Sequence, residues 1–545
     1  MKRRTFVGAS ASALLAGCDW DWLAARQGLQ GGYVGANVAL GHRLRSGGFP
    51  PPSFEGQVDV AIVGAGVAGL AVARQLRRAG IDRYRLFDLE DEAGGNARGH
   101  VIAGMGCPLG AHYLPTPGAP AQDVRDLLVE LGLLRVQAGR DVYDELTLCH
   151  SPQERLLIGS QWQEGLLPMI NVDAQALRDY RRFAALVAQA RATLPFAIPT
   201  VLAGWAPGLD ALDGQSFAQW LAAQGLDSTA MRWYLNYCCR DDYGAPLGQV
   251  SAWAGLHYFA SRHGFRAPGT DGPDDRDELL TWPEGNAWLT RHLAAAHAAQ
   301  LQTASLTTRV QPTARGVQID VWNDALGRSE RWTADQVVLC TPLFISARLL
   351  AADAPAALTA TAARIRYAPW LVANVWVPEP LDERPGAPRA WDNVMMGDSP
   401  QGLGYVDAMH QSTRPTPASI GPTVLTYYMS FGTAPAAREA LYAGSWQHWA
   451  GVALKELAVA HPDLPHKARR VDLMRYGHAM AVPVPGLRSS AALAALHAPH
   501  GRVHFAHADL SAYSVFEEAF HWGSRVGRRV AAQLHGHRPA QENSA

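Results

Sequence analysis

Val58-Asp59-Val60-Ala61-Ile62-Val63-Gly64-Ala65-Gly66-Val67-Ala68-Gly69 joins an apolar run directly to a glycine-rich turn. Its first six residues form a near-continuous β-branched run suited to a buried parallel strand. A GxGxxG turn follows without a spacer. Leu70 to Ala79 is then rich in Ala, Leu and Arg at helical spacing and stops at Gly80. A second strand, roughly Arg83 to Phe87, delivers Asp88. Each part has a physical task in holding a dinucleotide. Gly64 permits the tight turn, Gly66 lets the backbone approach a pyrophosphate, and Gly69 lets the helix pack on the strand. Ala65 and Ala68 belong to the same turn and are assigned to the cofactor with it. The helix N-terminus offers free N–H groups to phosphates. Asp88, followed by Leu89, is placed to accept hydrogen bonds from ribose hydroxyls. Strand, turn, helix, strand and acid in this order predict an α/β chain with a Rossmann-type unit.

The rest of the composition narrows the class. At 545 residues there is room for two or three domains. Hydrophobic residues make up 48% and charged residues 18%, with a net charge of −1, so no basic surplus argues for nucleic acid. Lysine is nearly absent: Lys2, Lys455 and Lys467 are the whole set. Lys2-Arg3-Arg4 followed by a short apolar run ending in Leu15-Ala16-Gly17-Cys18 reads as a twin-arginine signal with a lipoprotein cleavage site. Residues 1–18 are expected to be the signal peptide and lipobox, with Cys18 left as the lipidated first residue of the mature protein. The mature protein would be periplasmic or cell-envelope, touching a membrane only through a lipid on Cys18. The Gly-, Pro- and Ser-rich residues 19–55 read as a tether and surface wrap. Five cysteines remain after Cys18 with no CxxC pair, which excludes a zinc ribbon; no metal site is expected. The neighbours Cys238 and Cys239 are expected to be two buried thiols.

The motif alone does not separate NAD from FAD. The stretch after Asp88 carries the choice: Gly94-Gly95 lies six residues on, followed by Asn96 and Arg98. This resembles the second nucleotide-contacting loop of the flavin amine oxidase superfamily, which includes amine oxidases, protoporphyrinogen oxidases and phytoene desaturases. In that superfamily Arg follows the glycine pair directly, where Asn96 stands here. The resemblance continues in pieces. Leu109-Gly110-Ala111-His112-Tyr113 resembles the Gly-Ala segment under the flavin ring. Trp282-Pro283-Glu284-Gly285-Asn286 resembles the turn before a helix, and Thr308-Arg309-Val310 begins the strand whose Val310 backbone would hold the adenine. Val503 to Asp509 reads as a last core strand. The helix from Ser514 to Ala532 carries Glu517-Glu518-Ala519 where the family has Glu-Gly-Ala, with Val515 and Phe516 just before it. Asp509 matches the acid near the ribityl hydroxyls, and His507 replaces the usual glycine. With no cysteine after Cys340, the C-terminal cysteinyl linkage is impossible, so the implied FAD is non-covalent.

The resemblance implies a discontinuous Rossmann-type FAD-binding domain (56–115, 276–345, 471–535) and an inserted mixed α+β substrate domain (116–275, helical, and 346–470), with a tail over 536–545. Flavin chemistry is carried by the isoalloxazine ring, so a strong catalytic signature is not required. His112 and Tyr113 beside the Gly-Ala segment are the candidate catalytic residues, with His478 in Arg475-Tyr476-Gly477-His478-Ala479-Met480, which resembles a segment lining the substrate chamber. Arg240-Asp241-Asp242 concentrates polar groups in an apolar region. The lysine that amine oxidases commonly place near the flavin would fall in Trp370–Val375, where there is none. The expected activity is hydride transfer from an amine or related C–N or C–C bond of a small molecule to FAD, with O2 or a respiratory carrier as acceptor. Two alternatives stay open: dehydrogenation of a bulky apolar substrate, and a flavin-bearing binding or assembly factor without turnover. A carboxylate and aromatic cage favours an amine; a wide apolar tunnel favours desaturation.

Overall fold

The computed structural model describes residues 28–262, 264–269, 278–397, 402–413 and 420–537. The signal, Cys18 and most of the C-terminal tail lie outside them. In chain order the elements used below are β1 (Gln30–Tyr33), α1 (Val38–Ser46), β2 (Phe54–Val63), α2 (Val67–Arg78) and β3 (Tyr84–Phe87). Then come β4 (Glu154–Ile158), β5 (Gln161–Glu164), α3 (Ala174–Thr193) and α4 (Thr229–Tyr243). Four strands follow, β6 (Leu301–Gln302), β7 (Ser305–Pro312), β8 (Val317–Asn323) and β9 (Arg328–Leu339), and then α5 (Leu343–Leu350). The last are β10 (Arg366–Val377), β11 (Asp392–Met396), β12 (Gly404–Asp407), β13 (Thr423–Ser430), β14 (Arg470–Val482), β15 (Val503–Phe505) and α6 (Phe516–His537).

β2 is central to a seven-stranded sheet in which six strands run in the order β6-β3-β2-β9-β8-β7 and the seventh, β15, pairs with β9. It pairs in parallel with β3 on one side and with β9 on the other. Val60, Ala61 and Ile62 are wholly buried, as a strand covered on both faces requires. β9 is long enough to serve two partners. Its first half pairs with the meander strand β8, and Val337–Leu339 pair in parallel with β15. The C-terminal helix α6 lies on α2, and its contact face is cut by glycines. A Cβ at Gly523 would sit 2.2 Å from Ala68 O, and one at Gly527 3.0 Å from Val72 O. Two glycines four apart let the helices meet backbone to backbone.

The second sheet has eight strands in the order β1-β14-β10-β13-β12-β11-β4-β5. β10 and β13 are almost entirely buried. One face packs on the helices α3 and α4 in a large aromatic and aliphatic core that includes Phe183, Phe217 and Tyr428. The other face meets the helix Trp446–Ala460. The five cysteines of the described residues are free, and Cys238 and Cys239 are buried thiols as expected.

Three boundaries differ from the sequence expectation. Residues 19–55 are not only a tether: β1 adds an edge to the substrate sheet, α1 follows, and β2 begins at Phe54. A four-residue strand rich in glycine carries no alternation by which to recognise it. The first substrate segment is not purely helical, because β4 and β5 complete the eight-stranded sheet. Residues 471–482 belong to β14 and hence to the substrate sheet rather than the nucleotide domain. The chain crosses between domains without a Gly- or Pro-rich break there, so composition gave no boundary.

Candidate active site

The nucleotide cradle forms where β2 ends. Gly64 takes φ +98°, a conformation open to glycine at little cost. A Cβ at Gly69 would lie 1.9 Å from Gly64 O, so the first helical turn sits directly on the loop. Gly66 is the N-cap of α2 and supplies no side-chain cap, which leaves the first-turn N–H groups for a ligand. Gly94 and Gly95 approach this turn from the side: Gly66 bridges to Gly94, and a Cβ at Gly95 would be 3.2 Å from Gly66 Cα. Asp88 is buried at the end of β3. Its two oxygens accept the Ala65 N–H (2.6 Å) and the Glu90 N–H (2.9 Å), leaving a second lone pair on each. Burial holds its carboxyl above the usual range, although the two N–H donors and Arg98 oppose this.

Arg98 is almost fully buried. Its guanidinium faces Asp91 (3.3 Å) and Glu90 (3.8 Å), while Nε is buried without a partner. Asn96, in the position where the superfamily has Arg, is exposed and donates through Nδ2 to Ala479 O at 2.6 Å. The next loop interlocks with this one: the Ala111 N–H donates to Asn96 O, and a Cβ at Gly110 would be 2.3 Å from that oxygen. The Tyr476 hydroxyl, also buried and unpartnered, lies 3.1 Å from the same Gly110 position. Glycine cradle, uncapped helix, ribose acid and orphaned buried polar atoms together fit a dinucleotide and its pyrophosphate. Val310 is buried on β7 in the meander, on the same sheet.

At the C-terminal junction the strand stops at Phe505, shorter than expected, and Ala508–Ser511 form a 3-10 turn before α6. Asp509 is buried inside this turn. Its Oδ2 accepts the Leu343 N–H (2.9 Å) and the Tyr367 hydroxyl. Burial acts to raise this carboxyl, but His507 and the Tyr367 hydroxyl outweigh it and the group is held low. Val515 is half-buried and Phe516 stacks on Phe520. Glu518, standing where the family has glycine, is fully buried and reaches back to the turn. It accepts the Thr200 N–H (2.5 Å) and the Ser511 hydroxyl (2.5 Å). Replacing it with alanine is expected to lower the thermal midpoint, because two donors are stranded in the interior at about 1–3 kcal/mol each. Glu518→Gln, which keeps an acceptor, should lose less; thermal unfolding of the two variants side by side checks this.

Beside the Gly110-Ala111 segment a cavity of about 270 Å³ opens between the substrate sheet and α4. His112 and Tyr113 line it, as do Trp391, Tyr428, Tyr234 and Tyr237. His112 stacks on Tyr428 at 4.4 Å. Its Nδ1 faces Gly110 O at 3.3 Å, which assigns the proton to Nδ1 and leaves Nε2 as an acceptor. Burial pushes its pKa down to about 4, so the imidazole is neutral at pH 7. Three carboxylates share this cavity: Glu154, Asp241 and Asp392. Asp392 on β11 and Glu154 on β4 are direct partners across a parallel strand pair. Asp241 faces them from the last turn of α4, which ends at a left-handed Gly244. Burial and neighbouring Asp242 hold Asp241 up at about 7, and burial with Asp241 and Glu154 drives Asp392 well above the carboxylate range. Arg262 and Arg266 also line the space, but the Arg262 guanidinium is taken by Asp242 (3.1 Å) and the Tyr513 hydroxyl (2.7 Å).

The structure thus brings His112 and Tyr113 to the cavity. It does not bring His478 there. That side chain packs on Phe344 (4.5 Å) and Tyr367 at the surface, because its position on β14 faces α5. Of the polar run at 240–242, Asp241 reaches the cavity and Asp242 pairs with Arg262. Sequence reading missed Glu154, Asp392, Tyr237, Trp391 and Tyr428. Glu154 and Asp392 lie more than two hundred residues apart and meet only through strand pairing. Among the described residues no group of side chains could hold a metal.

Comparison with known proteins agrees with this geometry. The family described as flavin containing amine oxidoreductase matches residues 67–531. AofH of Mycobacterium tuberculosis (strain CDC 1551 / Oshkosh), named as a flavin-containing monoamine oxidase, is 39% identical over 85 residues. That match spans 15% of this chain and only 18% of the relative. Among solved structures, putrescine oxidase bound to putrescine superposes with a TM-score of 0.65 at 17% identity, covering 88% of this chain and all of the other. Cyclohexylamine oxidase from Brevibacterium oxydans IH-35A gives 0.64 at 17% identity, covering 88% and 99%. With the match spanning most of its length, the chain belongs to the flavin-containing amine oxidoreductase family and has FAD as its cofactor.

Proposed function

We propose that this protein oxidises a small amine carrying a second positive charge, a diamine or a longer polyamine, at FAD. The observation that carries the reading is the pairing of Asp392 with Glu154 across adjacent strands, with Asp241 opposite them. Like charges directly opposed in a sheet are destabilising. A carboxylate in the last turn of a helix also meets the negative end of its dipole. Arg266 lines the same cavity, and an ammonium entering it meets three carboxylates, of which Asp241 and Asp392 are held above their usual range by burial and by neighbouring carboxylates. The aromatic walls supply ring faces to an ammonium and its methylenes, and the acid-and-aromatic lining disfavours a bulky apolar substrate.

The residues we assign to FAD are the Gly64–Gly69 turn with Ala65 and Ala68, Asp88 and Leu89 at the ribose, and Gly94, Gly95, Asn96 and Arg98 along the pyrophosphate. Gly110, Ala111, Val310, Asp509, Val515 and Phe516 complete the set. FAD, when bound, supplies the two-electron acceptor for hydride leaving the carbon next to nitrogen. The chain does the rest. Carboxylates hold the distal ammonium, Trp391, Tyr237 and Tyr428 exclude water, and neutral His112 leaves Nε2 as an acceptor. No lysine stands on β10, where Asn374 instead donates to Pro108 O and accepts the Thr426 hydroxyl. This supports a respiratory carrier rather than O2 as the electron acceptor. Export by the twin-arginine route with a lipid on Cys18 rests on the Lys2–Cys18 sequence; metabolic labelling with a fatty acid, lost in Cys18→Ala, tests it.

Anaerobic titration of the purified protein with monoamines and diamines is the direct test of function. Diamines should bleach the flavin band at concentrations well below those needed for monoamines of equal length. If no amine bleaches it, the reading of an amine-oxidising enzyme fails, and dehydrogenation of a bulky apolar substrate or a binding factor without turnover takes its place.

A further inference from the structure

The segment before the nucleotide strand lies outside the family match, which begins at residue 67. We propose that residues 28–53 form a strap that completes the site for the adenosine half of FAD and slows its release; this rests on the FAD assignment above.

The strap is anchored on both domains and passes over the ribose segment between them. On the substrate side, β1 pairs in parallel with β14 over four residues, and the Tyr33 hydroxyl donates to Gly444 O at 2.7 Å. Arg475 covers the Tyr33 ring at 3.5 Å. Gly31 takes φ +135°, and a Cβ there would lie 1.9 Å from Val471 O, so only glycine fits this edge. On the nucleotide side, the Asn37 N–H donates to Glu90 Oε2 at 2.8 Å, while the Asn37 side chain caps α1. Gly41 is set against Leu89, where a Cβ would meet Cδ2 at 3.5 Å. Farther along, Arg348 of α5 donates to Leu44 O (3.0 Å) and Arg45 O (3.2 Å), and Arg43 faces Asp324 beyond β8. Leu44 packs into the core that contains Val310.

α1 therefore touches both places assigned to adenosine: Leu89-Glu90, next to the ribose acid, and the Val310 meander. The route of the chain points the same way. β1 and β2 belong to different sheets, so the intervening helix has to pass from one sheet to the other. FAD enters before the strap is docked, and its departure requires α1 to lift.

The test uses the full-length holoprotein with a protease site inserted between Gly47 and Gly48, which are exposed and where an added Cβ meets nothing within 4 Å. Cleavage combined with Gly31→Val detaches the strap. Flavin release into dilute buffer should then be about tenfold faster or more, since losses at such a contact fall mainly on the off-rate. The shape of the flavin absorbance bands should stay unchanged, and saturating FAD should restore the thermal midpoint. Should Gly31→Val fail to fold, the cut protein with Gly31 retained, washed free of its N-terminal fragment in mild urea, gives the same comparison. A detached strap with unchanged flavin release overturns the proposal. So does a cut protein that FAD cannot restabilise, because that makes the segment a general scaffold. A native chain that takes up no FAD overturns both this proposal and the cofactor assignment.

Discussion

Asp241→Asn is expected to raise the KM for a diamine about 30-fold or more while leaving the flavin content intact. Removing one partner of a buried charge pair costs about 2–5 kcal/mol, and 2 kcal/mol is roughly a factor of 30 in affinity. The variant keeps the size and shape of the side chain, so the cavity wall with Glu154 and Asp392 stays in place. Oxidation of a monoamine of the same length, which has no second ammonium, should fall far less. The split between the two substrates is the diagnostic: an equal loss for both would mean that Asp241 holds the cavity together rather than the cation.

The same residue sets a pH dependence with a definite sign. Its carboxyl is held up at about 7 in the empty site, so it is largely protonated below that pH and ionises above it. A cation binds the ionised form, and KM for the diamine should fall as pH rises through about 7. In the unliganded protein the raised pKa has the opposite consequence. The stability it contributes is fully present below the ordinary carboxylate pKa and is lost as pH rises through about 7. A bound dication offsets that loss. The thermal shift produced by diamine should therefore grow between roughly pH 6 and pH 8, and flatten in Asp241→Asn.

Gly69→Ala is expected to yield protein without FAD. The added methyl would fall 1.9 Å from Gly64 O, a backbone atom that can move only if the whole turn moves. Overpacking of this kind costs about 1–3 kcal/mol or more, and here the strain is released by opening the phosphate loop. Gly523→Ala meets the same difficulty from the other side, at 2.2 Å from Ala68 O. It pushes α6 off α2 and shifts the uncapped first turn indirectly. Both variants should be colourless after gel filtration. Only Gly523→Ala should recover flavin absorbance with excess FAD, since the turn itself is intact. Recovery by Gly69→Ala to the wild-type flavin content would mean that close packing of α2 on the turn is not what makes the phosphate site.

The nucleotide half was legible in the chain because its physics is local. Gly64, Gly66, Gly69 and Asp88 lie within one strand-turn-helix-strand unit, and each residue type answers a backbone need a few residues away. Gly94-Gly95 and Gly110-Ala111 were picked out by their resemblance to the flavin amine oxidase superfamily, and Gly95 and Gly110 do lie close to neighbouring backbone. His112 and Tyr113 followed by adjacency to that segment. His478 did not, because the direction of a side chain on β14 depends on what packs against that face. The carboxylate site was mostly tertiary, although Asp241 already stood out in the polar run Arg240-Asp241-Asp242. Asp392 and Glu154 become neighbours only through the register of β11 on β4, and Asp241 joins them only when α4 packs across the sheet. The N-terminal strap was equally invisible: β1 is four residues long and gains its partner, β14, from the other end of the chain. Sequence by itself determined which cofactor fold this is, since a dinucleotide turn is written in consecutive residues. The carboxylate cluster proposed to hold the substrate forms only in the fold, because electrostatic contact depends on distance in space and not along the chain.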